Sequence, residues 1–145
     1  MQIGVLAVGR LRAGPERELV DDYLTRAGRS ARPLGLTGFA VTEVEDRKGG
    51  GKAAEASLLR RALPPGGVSV ALDERGCTLT SPQFAGRLAE FRDAGRGPVT
   101  FVIGGADGLE AGILADVDQT LSFGKMVWPH MLVRVLQAAQ LYRAV

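Results

Sequence analysis

Apolar runs of strand length alternate with amphipathic stretches of helical length along all 145 residues of this chain. That alternation restricts the possible folds more than any other feature. Strand-type runs lie at 2–9, 36–46, 68–74 and 98–105, and 120–128 reads as a fifth strand or a structured loop. Helical spacing marks 15–28, 53–63, 81–95, 108–119 and 129–145. Ser81 suits an N-cap with Pro82 at the first helical position, and Pro129 opens the last helix. Pro64, Pro65, Gly66 and Gly67 end the second helix. The segment 98–105 is largely apolar on both faces, as a central parallel strand is. The expected fold is α/β, a mostly parallel sheet flanked by helices, in a single domain over 1–145. No repeat or linker divides the chain, and Gly49, Gly50 and Gly51 read as a mobile loop within the domain.

Composition is that of an ordinary globular protein, 46% hydrophobic and 23% charged, with a formal net charge of +2. A polycation is excluded. The basic residues are uneven, with only three lysines (Lys48, Lys52, Lys125) among 18. Arginine's planar fork suits phosphate, but genome composition produces the same bias. Cys77 is the only cysteine, so there is neither an intrachain disulfide nor Cys-rich metal spacing. The apolar start, "MQIGVLAVGR", lacks a basic leader and a cleavage site and reads as a first buried strand. No run approaches the roughly 18 apolar residues of a membrane span. The expectation is a cytoplasmic protein with no metal and no membrane partner.

Chemistry is expected at the carboxyl ends of the strands. The fourth strand ends "FVIGGADGLE", and Gly104, Gly105 and Gly108 leave backbone open to close approach. Glycines that merely end a strand fit the same residues. The spacing is not G-x-G-x-x-G. The first strand-to-helix turn, "VGRLRAGPE", has P-loop-like glycines at Gly9 and Gly14 but continues Pro15-Glu16, which disfavours nucleotide hydrolysis. A cofactor pocket would therefore be built from the C-terminal half. "LSFGKMVWPHMLVR" brings Phe123, Met126 and Trp128 together with backbone that can bond the edge of a flat ring, although core packing accounts for the same apolar residues. His130 lies in the first turn of the last helix, where capping or packing is the competing role. Arg134, one turn later on the same face, could join it against an RNA phosphate or base.

The order "LDERG", "FVIGGADGL", "LSFGKMVWPHMLVRVLQAAQLYRA", with "IGVLAVGRL" at the start, resembles the SPOUT-class RNA methyltransferases. It is most similar to the bacterial group that methylates a pseudouridine of large-subunit (23S) ribosomal RNA at ring nitrogen 3. The resemblance runs from Met1 to Val145 and is least diagnostic over 29–66. It implies a C-terminal deep trefoil knot, a rare departure from unknotted topology. It also implies S-adenosyl-L-methionine as cofactor, bound in the knot at a homodimer interface. Carried over by motif, Leu72, Gly104, Gly105, Phe123, Gly124, Lys125, Met126, Val127 and Trp128 would line the cofactor. His130 and Arg134 become the candidate catalytic residues, as proton acceptor and positioning group. The implied substrate is the assembled ribosome, with Arg10, Arg12, Lys48, Lys52, Arg134 and Arg143 as candidate basic contacts. Members of the family usually continue about ten residues past "YRA" into a Tyr-His tail that this sequence lacks, which bears on turnover more than on cofactor binding. Methylation of tRNA or another rRNA base, and a non-catalytic ribosome-associated module, are the alternatives.

Overall fold

The computed structural model describes residues Met1–Val145. Five strands, β1 (Gln2–Val8), β2 (Thr37–Val44), β3 (Val68–Thr78), β4 (Val99–Ile103) and β5 (Gln119–Ser122), form one sheet in the order β2-β1-β4-β3-β5. Every pairing is parallel. The helices are α1 (Pro15–Ala31), α2 (Gly51–Ala62), α3 (Ser81–Asp93), α4 (Ala111–Asp116) and α5 (His130–Arg143). A 3-10 turn at Arg32–Leu34 follows α1.

Alternation along the strands sends side chains to two separate cores. On one face Val5, Ala7, Phe101, Ile103 and Leu72 pack with Val20 and Leu24 of α1, Phe84 and Leu88 of α3 and Leu141 of α5. On the other, Leu6, Val8, Ala71 and Val102 meet Ala56 and Leu59 of α2 and Ile113 of α4. β4 has strands on both edges and helices on both faces, so all five of its residues are buried.

Three local readings of the sequence are corrected. The cap of α3 is Thr80 rather than Ser81: its hydroxyl accepts from the Gln83 N–H, and the Gln83 side chain accepts from the Thr80 N–H. That reciprocal pair satisfies two orphan donors, which Ser81 as cap would not. Ser81 bonds Gln140 of α5 instead, at 2.8 Å. The glycine run belongs partly to α2, which begins at Gly51 after Asp46 has accepted the Gly50 N–H at 2.6 Å. The helix expected over 108–119 is only Ala111–Asp116. Gly108 has a φ of +80° in a tight turn, which a helix cannot continue through.

Two register shifts interrupt the ladders. Between β1 and β2 the shift lies at Ile3/Gly4, and Gly38 (φ +92°) and Phe39 (φ +57°) form a bulge. Between β3 and β5, Leu121 faces both Leu72 and Cys77, so residues 73–76 loop out of the ladder.

Candidate functional site

Three chain segments, one looped out within β3 and two leaving the carboxyl ends of β4 and β5, enclose one cleft of about 630 Å3. The first is the looped-out segment 73–76. Gly76 is where it passes β5: a Cβ there would lie 2.8 Å from the Leu121 nitrogen and 2.9 Å from the Thr120 carbonyl carbon. The second is the turn after β4, closed by the Gly108 N–H donating to Gly105 O at 3.0 Å. The third is 123–129. Its start is pinned by the buried Ser122 hydroxyl, which accepts from the Gly124 N–H (3.1 Å) and stands 3.0 Å from Glu74 O. The hydroxyl proton is shared between Gly124 O (2.8 Å) and Glu74 O, and the contact with Glu74 links the third segment to the first.

Gly104 makes the turn possible. A Cβ at Gly104 would stand 2.7 Å from the Gly108 carbonyl carbon and 2.8 Å from its oxygen. Backbone atoms cannot swing aside as a side chain can. At Gly105 the nearest atoms are side chains, Val8 Cγ1 at 3.3 Å and Glu55 Oε2 at 3.5 Å, and an added methyl could be accommodated.

Of the eleven residues singled out in the sequence, the structure brings nine to this cleft: Leu72, Gly104, Gly105, Phe123, Gly124, Met126, Val127, Trp128 and His130. Lys125 is exposed and does not line it. Met126 and Val127 are each 77% exposed, and Trp128, Met131 and Leu132 are also open, so the 123–132 segment carries an uncovered apolar surface as well as one wall of the cleft.

Arg134 is a correction. It does not sit beside His130 facing a nucleic acid. Its guanidinium is buried and bonds Glu43 (2.7 Å), Val8 O (2.8 Å) and Gly9 O (2.6 Å). Three elements meet there: the carboxyl end of β1, strand β2 and helix α5. Glu43 also accepts the Leu11 N–H at 2.6 Å. Burial of the Glu43 carboxylate works to raise its pKa, but the Leu11 hydrogen bond, the Arg134 hydrogen bond and charge, and the charge of Arg10 outweigh it and hold the pKa below the usual glutamate value.

Sequence reading missed the ionic side of the cleft. Asp73, paired with Arg75 at 3.3 Å, and Asp107 line it beside Lys52, which the sequence offered only as a basic contact to RNA. Asp73 and Asp107 occupy strand-end turns in "LDERG" and "GGADG", a position that could have marked them. Glu55 lies behind Gly105, and only its spacing of three from Lys52 on α2 hints at the location. Burial raises the Glu55 pKa, and the charges of Asp107 and Asp46 raise it further. Folding therefore tightens the hold on that proton. The associated stability is present at low pH and is lost as the pH rises through the raised folded value. Glu55→Gln is expected to melt above the parent at neutral pH, with the gap closing below the usual glutamate range near about pH 4.3. Calorimetric melts across pH check this; a gap that widens on acidification would contradict it.

The family model described as "Predicted SPOUT methyltransferase" matches residues 1–145. The chain belongs to the SPOUT methyltransferase family. Among similar relatives, this SPOUT chain is 62% identical over 144 residues to the ribosomal RNA large subunit methyltransferase H of Dinoroseobacter shibae, covering 99% of this chain and 92% of that one. It is 61% identical to the protein of the same name from Roseobacter denitrificans, with the same coverage. The crystal structure of a probable methyltransferase from Bordetella pertussis Tohama I has the same fold, with a TM-score of 0.56 at 18% identity over 98% of this chain and 95% of that one.

Proposed function

We propose that this SPOUT protein is an S-adenosyl-L-methionine-dependent methyltransferase that acts on large-subunit ribosomal RNA in the cytoplasm, with N3 of a pseudouridine on the assembled ribosome as the acceptor. The single observation that carries the reading is the cleft in which the glycine turn after β4 faces the apolar 123–128 segment. Agreement in sequence with relatives named for rRNA methylation, over 99% of the chain, supports the substrate. The fit of the cofactor rests on three features. The volume, about 630 Å3, is in the range of small-molecule sites. Leu72, Phe123, Met126 and Trp128 offer apolar faces to a flat purine, and Gly104 and Gly105 leave backbone open where side chains would fill the space. Asp73, Glu74 and Asp107 outweigh Lys52 and Arg75 along the lining, which leaves a slight negative excess suited to a cationic ligand. A C-terminal trefoil knot belongs to this reading, and the close approach of Gly76 to the β5 backbone is in keeping with it.

The bound cofactor supplies a methyl group made electrophilic by a positively charged sulfur. The protein's task is then mostly positioning. The turn 104–108 and the 123–128 backbone would hold the donor, and Leu72 and Phe123 on the cleft wall would shield its face from water. N3 of the acceptor must lose its proton, and His130, half-buried at the cleft wall, is the side chain proposed to take it or pass it to solvent. Arg134 serves the site from behind by fixing α5. The open apolar residues Met126, Val127, Met131 and Leu132 are proposed to be covered by a second copy in a homodimer.

Mass spectrometry of 23S rRNA from a strain lacking the gene tests the reading: one methyl group should disappear from one large-subunit pseudouridine. An unchanged large-subunit map with a lost tRNA or other rRNA methyl would move the activity to that substrate. A wholly unchanged map would leave only a non-catalytic ribosome-associated module. His130→Ala is expected to lower the methylation rate by about 100-fold with little change in calorimetric affinity for S-adenosylmethionine. A normal rate would remove His130 as proton acceptor.

A further inference from the structure

Away from the cleft, a second and larger depression of about 1150 Å3 runs between α1 and the edge strand β2. Its floor is apolar and includes Val20, Leu24 and Phe39, but its rim is cationic. Five arginines line it (Arg10, Arg17, Arg29, Arg32, Arg134) against two carboxylates, Asp21 and Glu43. The local excess is three positive charges, whereas the whole chain carries a formal +2. The remainder of the protein is therefore slightly acidic, and the basic character is concentrated here.

Three of the five arginines are not consumed within the fold. Arg134 is committed to Glu43 at 2.7 Å, and Arg17 reaches Asp21 only at 3.8 Å. Arg10, Arg29 and Arg32 are exposed and make no side-chain hydrogen bond or ion pair. Arg17, Asp21, Gly28 and Arg32 follow one stripe along α1 and the turn after it. The twelve steps of helix from Arg17 to Arg29 rise about 18 Å, or about five phosphate intervals of 3.4 Å on one strand of a duplex. The β2 side of the groove is unsuited to adding a strand, because the Gly38–Phe39 bulge breaks the regular edge. Charge and spacing thus favour a polyphosphate backbone over an extended peptide.

Helix α5 contributes to both depressions. Arg134 lines the groove, and His130, one turn earlier on α5, lines the cleft. We infer that the α1–β2 groove is a track for the ribosomal RNA backbone, in which Arg10, Arg29 and Arg32 take phosphates while the acceptor base is presented at the cleft. This rests on the reading of the substrate as ribosomal RNA. The phosphates supply affinity and register, not base identity.

The experiment measures binding of the full-length parent and of Arg29→Glu/Arg32→Glu to purified 23S rRNA and to intact ribosomes over a range of salt. Arg29→Gln/Arg32→Gln serves as the uncharged control. Losing two phosphate contacts should flatten the log–log salt slope by about 1.4–1.8 and lower affinity by on the order of 100-fold at low salt. Melting temperature and the calorimetric affinity for S-adenosylmethionine should stay at parental values. An unchanged slope and affinity would overturn the track, even if the parent methylates ribosomal RNA. A flattened slope with a parent that methylates no ribosomal RNA would uphold the track as an RNA-binding surface and overturn the proposed activity instead. Binding lost to ribosomes but kept to purified 23S rRNA would assign the groove to an acidic ribosomal protein and also overturn the inference.

Discussion

Arg134→Ala is expected to destabilise the protein by about 3–5 kcal/mol, a large share of the roughly 5–15 kcal/mol that keeps a domain of this size folded. The guanidinium is buried, and three acceptors depend on it: Glu43, Val8 O and Gly9 O. Removing it leaves two strand-end carbonyls without their donor and Glu43 without its counter-ion. The melting temperature should fall by on the order of 10 °C. Glu43→Gln should cost much less, because an amide oxygen can still accept from Leu11 and Arg134. Arg134→Lys should fall between the two, because one ammonium cannot reach three acceptors in the geometry of a planar fork. The pH dependence has a definite sign. The Glu43 pKa is depressed on folding, so its contribution is complete above the usual glutamate range and is lost as the pH falls through the lower folded value. Urea and thermal unfolding of the three variants at several pH values measure all of this. A stable Arg134→Ala protein that has lost only RNA affinity would restore the role read from the sequence and refute the buried one.

Gly104→Ala is expected to weaken binding of S-adenosylmethionine markedly while Gly105→Ala largely preserves it. The two glycines are adjacent, and neither has a positive φ, so the difference is one of space alone. The methyl at 104 meets Gly108 backbone at 2.7 and 2.8 Å and Leu109 nitrogen at 3.0 Å, which forces the 104–109 turn outward. Overpacking of this kind costs about 1–3 kcal/mol, and the displaced turn is itself a wall of the cleft. Affinity should fall at least about tenfold, the equivalent of about 1.4 kcal/mol. At 105 the methyl meets the ends of two side chains at 3.3 Å or more, and the effect should be small. Calorimetric titration beside thermal melts separates the variants. Equal losses at 104 and 105 would show that the turn is not what shapes the site.

Much of this protein can be read from local sequence. The alternation of periods two and 3.6 determines strands and helices in order, and the run at 99–103, apolar except for Thr100, identifies the central strand before any coordinates. The cleft was legible too, because glycines at a strand end and an apolar segment before a helix are both short-range signals. Helix ends were less so. Thr80 and Ser81 are equally good caps on paper, and only the reciprocal bond with Gln83 separates them.

What local sequence could not settle is which side chains meet across the chain. A spacing of four residues places Arg134 on the same helical stripe as His130. Yet an arginine's length lets its head leave that stripe, and its partner Glu43 lies 91 residues away. In the same way, nothing in the arginine count distinguishes Arg134, spent inside the fold, from Arg29 and Arg32, left open on its rim. Periodicity is a property of neighbours, so the sequence alone determined the elements, their order and the segments that could host chemistry. The pairing of charges depends on which distant segments the parallel sheet brings together, and only the tertiary structure decided that.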